Sequence, residues 1–340
     1  AGEGGKGAGG GGGGGNNFIY NPGGAGGSGT VIVRYKIATA GSTKATGGSV
    51  SFYNGKTIHT FTSSGPFQSS GGTIADCEYI LVGGGGGGGA SYVNGVGGGG
   101  GGAGQFLAFG PVTLPSSNLP VVIGSGGDGW QREQREFPTY QTHNGGDTTF
   151  NSQKAGGGGA GGNSGANPLA PPFSGYDGRP GTPGGGGGAG GAGSDGTTPS
   201  PPQKGGDGGA GIQLPTTFRD PNQSFGLGPG SPSPYHWVAG GGAGGVHAPP
   251  NNHGNRQGAG GGGVVGTAVN PNAPSDNPSF ATPYAGGGNG GHGRGDNTHR
   301  AGDNGAMNTG GGGGGAGPAV PDGSNGGRGG AGLVMIAYPT

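Results

Sequence analysis

Cysteine is all but missing: Cys77 is the single one in 340 residues. That excludes an intrachain disulfide and any cysteine-based metal cluster. Within a strand-like run, Cys77 reads as a small buried hydrophobe. Charge is sparse and balanced, with Lys+Arg 15 against Asp+Glu 15. The balance removes the electrostatic reason to expect nucleic acid or an anionic membrane as partner. No apolar run is long enough to span a bilayer, and no stretch shows helical periodicity with usable caps. Leu, Ile, Val and Phe together are roughly one residue in eight, below ordinary globular usage, so a conventional core can serve only part of the chain. Low hydrophobicity favours disorder most when net charge is high; here there is no self-repulsion, and compact packing stays open. The length admits one to three domains. The start at Ala1, with no signal-like region, reads as a removed leader or as a segment of something longer.

Glycine fills the space, with 106 residues. An apolar run, Tyr79-Ile80-Leu81-Val82, feeds the tract Gly83 to Gly89. A break, Ala90 to Val96, follows, and then a second tract leads to Gln105-Phe106. That order of strand, tract, break and tract recurs to the C-terminus. A free linker is one reading, because glycine has the whole φ/ψ map and loses the most entropy on ordering. The tracts are nearly pure, however, and strands bracket them. An extended threefold helix of the polyproline type points every N–H and C=O outward. Packed side by side, such segments can satisfy one another's backbone, and only a residue without Cβ allows that approach. The proline-bearing breaks then serve as turns. Collagen is a poor fit, since no Gly-X-Y period is sustained.

Taken in order, the chain shows an internal repeat. Gly23 to Tyr35 (GGAGGSGTVIVRY) and Gly326 to Tyr338 (GGRGGAGLVMIAY) align without a gap. The first carries the strand-like Thr30-Val31-Ile32-Val33-Arg34-Tyr35 and the second Leu333-Val334-Met335-Ile336-Ala337-Tyr338. Either a tandem array or strand addition across a sheet edge between subunits explains the duplication. Ser49 to Tyr53, the turn Asn54-Gly55 and Lys56 to Thr62 read as a hairpin whose second strand is half-buried. Thr73 to Val82, Gln105 to Leu114 and Leu119 to Ile123 read as further strands. Residues 124–155 read as a polar insertion. Breaks beyond it, such as Leu214 to Phe225 and Pro232 to Val238, read as exposed loops.

Several of these pieces resemble a family of glycine-rich domains of phage and bacterial surface or structural proteins. They are Lys56 to Phe67 (KTIHTFTSSGPF), Glu78 to Val82 leading into the glycine run, Gly97 to Phe106, and the closing Gly27 to Tyr35. The resemblance implies a small β-sandwich with glycine-rich helices laid against it, used in tail fibres, adhesins and other extracellular fibres. It carries no catalytic residues. Leu333 to Tyr338 departs from the pattern in lacking Arg before Tyr.

Little else carries chemistry. Gly-x-Gly-x-x-Gly matches are meaningless at this glycine content, and Gly55-Lys56-Thr57 lacks the first glycine of a phosphate loop, with Val50 in its place. Arg294-Gly295-Asp296 reads as a solvated loop rather than an adhesion tripeptide. His59, His143, His236, His247, His253, His292 and His299 match no ligand spacing, so no metal and no cofactor are expected. Aromatic residues in the breaks, Trp130, Tyr140, Tyr235 and Trp237 among them, suit stacking on sugar or packing between subunits. Asn222-Gln223-Ser224 is an N-glycosylation sequon.

The expected fold class is all-β: a small antiparallel β-sandwich with packed polyglycine helices of the polyproline II type, long loops and essentially no α-helix. The expected division is an N-terminal tract and strand over 1–40, the sandwich over 41–155, and a glycine-rich layer with a closing strand over 156–340. The expected function is a non-enzymatic, extracellular fibre subunit that self-assembles through strand addition. Thr30, Val31, Ile32, Val33 and Tyr35, with Leu333, Val334, Ile336 and Tyr338, are its assembly residues. The alternative is a phage tail-fibre adhesin that binds host surface glycan or an outer-membrane protein through Trp130, Tyr140, Tyr235 and Trp237. Ice binding needs regular Thr or Ala arrays that the breaks do not supply.

Overall fold

A computed structural model describes residues 15–16, 19–20, 43–91, 97–131, 143–162, 184–196, 205–223, 226, 235–248, 285–294, 301–317 and 324–340. The chain divides into Ala1–Ser42 and Thr43–Thr340. In the first unit β1 (Gly15–Asn16) pairs antiparallel with β2 (Ile19–Tyr20).

The second unit is almost entirely strand and extended chain. In order it holds β3 (Ala45–Thr46), β4 (Ser49–Tyr53), β5 (Lys56–Phe61), β6 (Gly65–Ser69) and β7 (Ile74–Val82). β8 (Phe106–Leu114), β9 (Asn118–Val121), β10 (Thr148–Phe150) and β11 (Gln153–Ala155) follow. The last are β12 (Ile212–Gln213), β13 (Trp237–Val238), β14 (Val246–Ala248), β15 (His292–Arg294) and β16 (Leu333–Pro339). Among the described residues the helical element is one 3-10 turn, Thr216–Phe218.

Local sequence explains the β4–β5 hairpin. Asn54 and Gly55 both take positive φ, 49° and 72°, as a two-residue turn matched to strand twist requires. β4 and β5 then open a five-stranded antiparallel sheet of order β4-β5-β16-β7-β8. The last strand in sequence lies in the middle of it. A second sheet has the order β3-β6-β9, and a bridge between Val122 and Thr149 links it to the β10–β11 pair. β6, at Gly65–Ser69, is a strand that alternation did not reveal, because it opens on Gly65 and Pro66, residues that ordinarily punctuate strands.

One buried cluster draws on both sheets: Phe61, Phe67, Tyr79, Leu81, Leu114, Phe150, Val334, Ile336 and Tyr338 belong to it. A second covers the other face of the five-stranded sheet with Ile58, Ile80, Leu214, Phe218, Val238, Leu333 and Met335. Burial on both faces corrects the half-buried reading of β5, in which Thr57 to Phe61 are all buried. It also corrects the exposed-loop reading of the breaks near 214–238, since Leu214, Phe218 and Val238 are interior. Long-range packing decides both outcomes, which window-based alternation does not see.

The glycine tracts continue the strands. β7 runs out into 83–91, and 97–105 returns into β8. Residues 143–147 return into β10, 205–211 into β12 and 324–332 into β16. Around the tract 83–91 the hydrogen bonds repeat every third residue. Gly83, Gly86 and Gly89 donate to Gln105, Gly102 and Gly99. Gly84 and Gly87 donate to Gly146 and His143, and Gly85, Gly88 and Ser91 to Gly330, Gly327 and Ser324. Gly158 and Gly161, Gly127 and Trp130, and Gly313 and Ala316 donate back to it. Three returning tracts and three outgoing ones therefore surround this one. Segments 124–130 and 143–146 are part of the array, which corrects the reading of 124–155 as an insertion.

Candidate functional site

The closing strand β16 is hydrogen-bonded along both edges at the centre of the five-stranded sheet. It pairs with β5 from Val334↔Phe61 to Pro339↔Lys56, and with β7 from Leu333↔Val82 to Ala337↔Glu78. Leu333 to Tyr338 are each 0% exposed. Period-two alternation sends Val334, Ile336 and Tyr338 to one cluster and Leu333, Met335 and Ala337 to the other. Both faces of this strand are apolar, so the polar contacts at its end, above all the Tyr338 hydroxyl on His59, mark its register.

Polar groups hold the strand at three points. His59 Nδ1 lies 2.7 Å from the Gly47 carbonyl oxygen and Nε2 lies 2.8 Å from the Tyr338 hydroxyl. A carbonyl cannot donate, so Nδ1 carries the proton and Nε2 of the neutral ring accepts from Tyr338. His59 is 0% exposed, and burial lowers its pKa, with the Gly47 hydrogen bond opposing. Burial also pushes the Tyr338 hydroxyl up to about 12, so it remains a donor. The Phe67 ring meets His59 edge-on. On the other face Lys56 and Glu78, on the two strands flanking β16, form an ion pair. Thr217 donates to Glu78 at 2.7 Å, which ties the 3-10 turn to the sheet. Burial raises the Glu78 pKa, but the Lys56 and Thr217 hydrogen bonds and the Lys56 charge outweigh it and hold the carboxyl below its ordinary value. At the strand's end Lys44 Nζ donates to the Pro339 carbonyl at 2.7 Å.

Side chains complete the glycine array where tract meets strand. Asp147 Oδ1 accepts from Gly157 N–H at 3.1 Å and Asn144 Oδ1 from Ala160 N–H at 2.9 Å. Thr148 Oγ1 accepts from Gly124 N–H at 2.9 Å and Gln105 Oε1 from Gly156 N–H at 3.1 Å. Each serves a backbone donor that burial would otherwise make costly.

The other sequence-derived candidates fall in different places. Thr30, Val31, Ile32, Val33 and Tyr35 lie outside the described residues, as does Tyr140. Trp130 is 4% exposed and stacks on His143 with ring centroids 3.8 Å apart. Tyr235 is 48% exposed and Trp237 half-buried. Asn222 is exposed in a turn where its N–H and Nδ2 donate to Asp220 Oδ1, at 2.9 and 3.2 Å; Ser224 lies outside the described residues. His247 and His292 fall in the paired strands β14 and β15. Among the described residues no group of three metal-ligating side chains is found. Sequence reasoning missed the roles of His59 and Glu78. Tyr338 and Thr217 are far away in sequence from His59 and Glu78, so no local pattern marked the contacts.

A family model described as a glycine-rich domain matches residues 60–339, more than half of the chain. It begins in β5 and ends in β16, and so takes in the tracts between them. No curated protein matches the sequence.

Proposed function

The chain belongs to the glycine-rich domain family, and from that premise we propose that it is a non-enzymatic structural subunit of an extracellular fibre. Its two facing sheets form a small β-sandwich, and its tracts are polyglycine helices of the polyproline II type. The three-residue repeat of hydrogen-bond partners supports the second reading, because such a helix has three residues per turn.

The observation that carries the fibre reading is the duplication of the closing segment. Gly326 to Tyr338 supplies both an array tract and the central strand of the sheet. Gly23 to Tyr35 aligns with it without a gap, matching its glycines, its first strand Val and its closing Tyr. The slot in its own sheet is filled by Leu333–Tyr338, so the Thr30–Tyr35 segment is available to a second copy through strand addition. The partner is therefore the chain itself. Deleting residues 1–37 is expected to leave soluble monomers where the full chain gives filaments with a regular axial repeat in negative-stain electron microscopy. Unchanged filaments would refute the reading. Discrete particles from the full chain would move it to an adhesin with Tyr235, exposed, as the first residue to test on glycan arrays.

A further inference from the structure

An added strand needs an open edge, and the described residues offer few. The central slot of the five-stranded sheet holds β16. Its outer strand β8 contains Pro111, which has no N–H to give, and is kinked at Gly110 with φ 137°. In the other sheet β3 is two residues long, and β9 carries Pro120 and is already bridged towards β10 by Val122↔Thr149. The other pairs have strands of only two or three residues, so the remaining long edge is β4, Ser49-Val50-Ser51-Phe52-Tyr53, which has no proline and no charge. Proline and charge are what blunt an edge against pairing.

The hairpin geometry says which groups of β4 are available. Tyr53 and Lys56 flank the two-residue turn and so exchange hydrogen bonds. By alternation Ser51 and Ser49 do the same with Ile58 and Thr60. The N–H and C=O of Val50 and Phe52 therefore point away from β5. We propose that this outward edge of β4 is the acceptor for Thr30–Tyr35 of a second copy, which extends the five-stranded sheet from one subunit into the next. Thr30, Val31, Ile32 and Val33 include no residue that disfavours a strand, and the matching Leu333–Tyr338 is one. The inference rests on the fibre reading and adds the site to it.

The test uses the full chain. Val50→Pro removes an outward N–H and leaves the β4–β5 ladder alone, so filament mass should fall at least tenfold while the circular dichroism of the subunit is kept. In parallel, Phe52→Cys is combined in turn with Val31→Cys, Ile32→Cys or Val33→Cys in a Cys77→Ala background. Mild oxidation should then give a ladder of covalent oligomers, and this arm decides the matter if Val50→Pro does not fold. A disulfide at monomer mass would overturn the proposal by showing that the chain covers its own edge. A ladder from Phe109→Cys on β8 in place of position 52 would overturn it too. Filaments lost on deleting 1–37 but kept by Val50→Pro, with no ladder through position 52, would refute the edge and spare the fibre reading. Absence of filaments from the unaltered chain would end both.

Discussion

Gly86 shows what a single missing methyl does in this molecule. It donates to Gly102 and accepts from Gly313, and a Cβ built on it would fall on the Gly159 carbonyl oxygen, far inside van der Waals contact. The obstacle is backbone, which cannot swing aside. Gly86→Ala is expected to destabilise the chain by about 3 kcal/mol, the upper part of the usual overpacking range, read as a shift of the urea midpoint. Gly71 is exposed with nothing within 4 Å of a built Cβ, and Gly71→Ala should change stability by no more than ~1 kcal/mol. His59 gives a second residue-scale expectation. Its folded pKa lies below the ordinary 6.5, so between those values the unfolded chain binds more protons. Its contribution is complete above about pH 6.5 and is lost as pH falls through the folded value. Facing it is the Tyr338 hydroxyl, which burial keeps protonated near neutrality, while Lys44 above the Tyr338 ring has the wrong sign to compensate. Thermal midpoints should fall between pH 7 and pH 5, and His59→Phe should flatten that part of the profile. Glu78 and Asp147, both held below their ordinary values, add a further loss only in the carboxylate range.

At the scale of elements, strand and tract depend on each other. Ordering a residue costs about 1–2 kcal/mol of backbone entropy, more for glycine, and a backbone hydrogen bond returns about 0.5–1.5 kcal/mol net. A tract therefore does not order by itself. The tracts 83–91, 97–105, 156–162, 205–211 and 324–332 each start or end on a strand whose position apolar burial has fixed, and the strand order brings these tracts next to one another. β16 has the most to lose, being central and buried on both faces. Ile336→Ala should cost about 2–5 kcal/mol, as for other fully buried aliphatic truncations. Hydrogen exchange checks the same point: the amides of Leu333 to Tyr338 should open only with global unfolding, and Ile336→Ala should speed them and the tract 83–89 together. Independent exchange of strand and tract would show that they are not one cooperative unit.

The whole molecule has an unusual balance of terms. Apolar side chains are scarce, while the array buries peptide groups in quantity. Unfolding then exposes much polar backbone, which lowers heat capacity, and relatively little hydrocarbon, which raises it. The heat-capacity change on unfolding of Thr43–Thr340, measured within the full chain by calorimetry, should fall below the usual ~12–15 cal/mol/K per residue. A value within that range would mean that hydrocarbon burial carries the fold after all.

The sequence alone determined the class of structure. Glycine purity with bracketing strands pointed to packed extended chain, the Asn54-Gly55 pair to a hairpin, and the duplicated ends to a closing strand at Leu333–Tyr338. These are local or self-referential signals, written in neighbouring residues or in a repeat. Only the tertiary structure decided that β16 lies between β5 and β7, that Leu214, Phe218 and Val238 cover the second face, and that 124–130 and 143–146 belong to the array. It also decided that His59 is locked between Gly47 and Tyr338. Glycines carry no side chain to mark which neighbour they will face, so sequence leaves their partners open. Those partners follow from the strand order, which long-range burial of apolar faces selects.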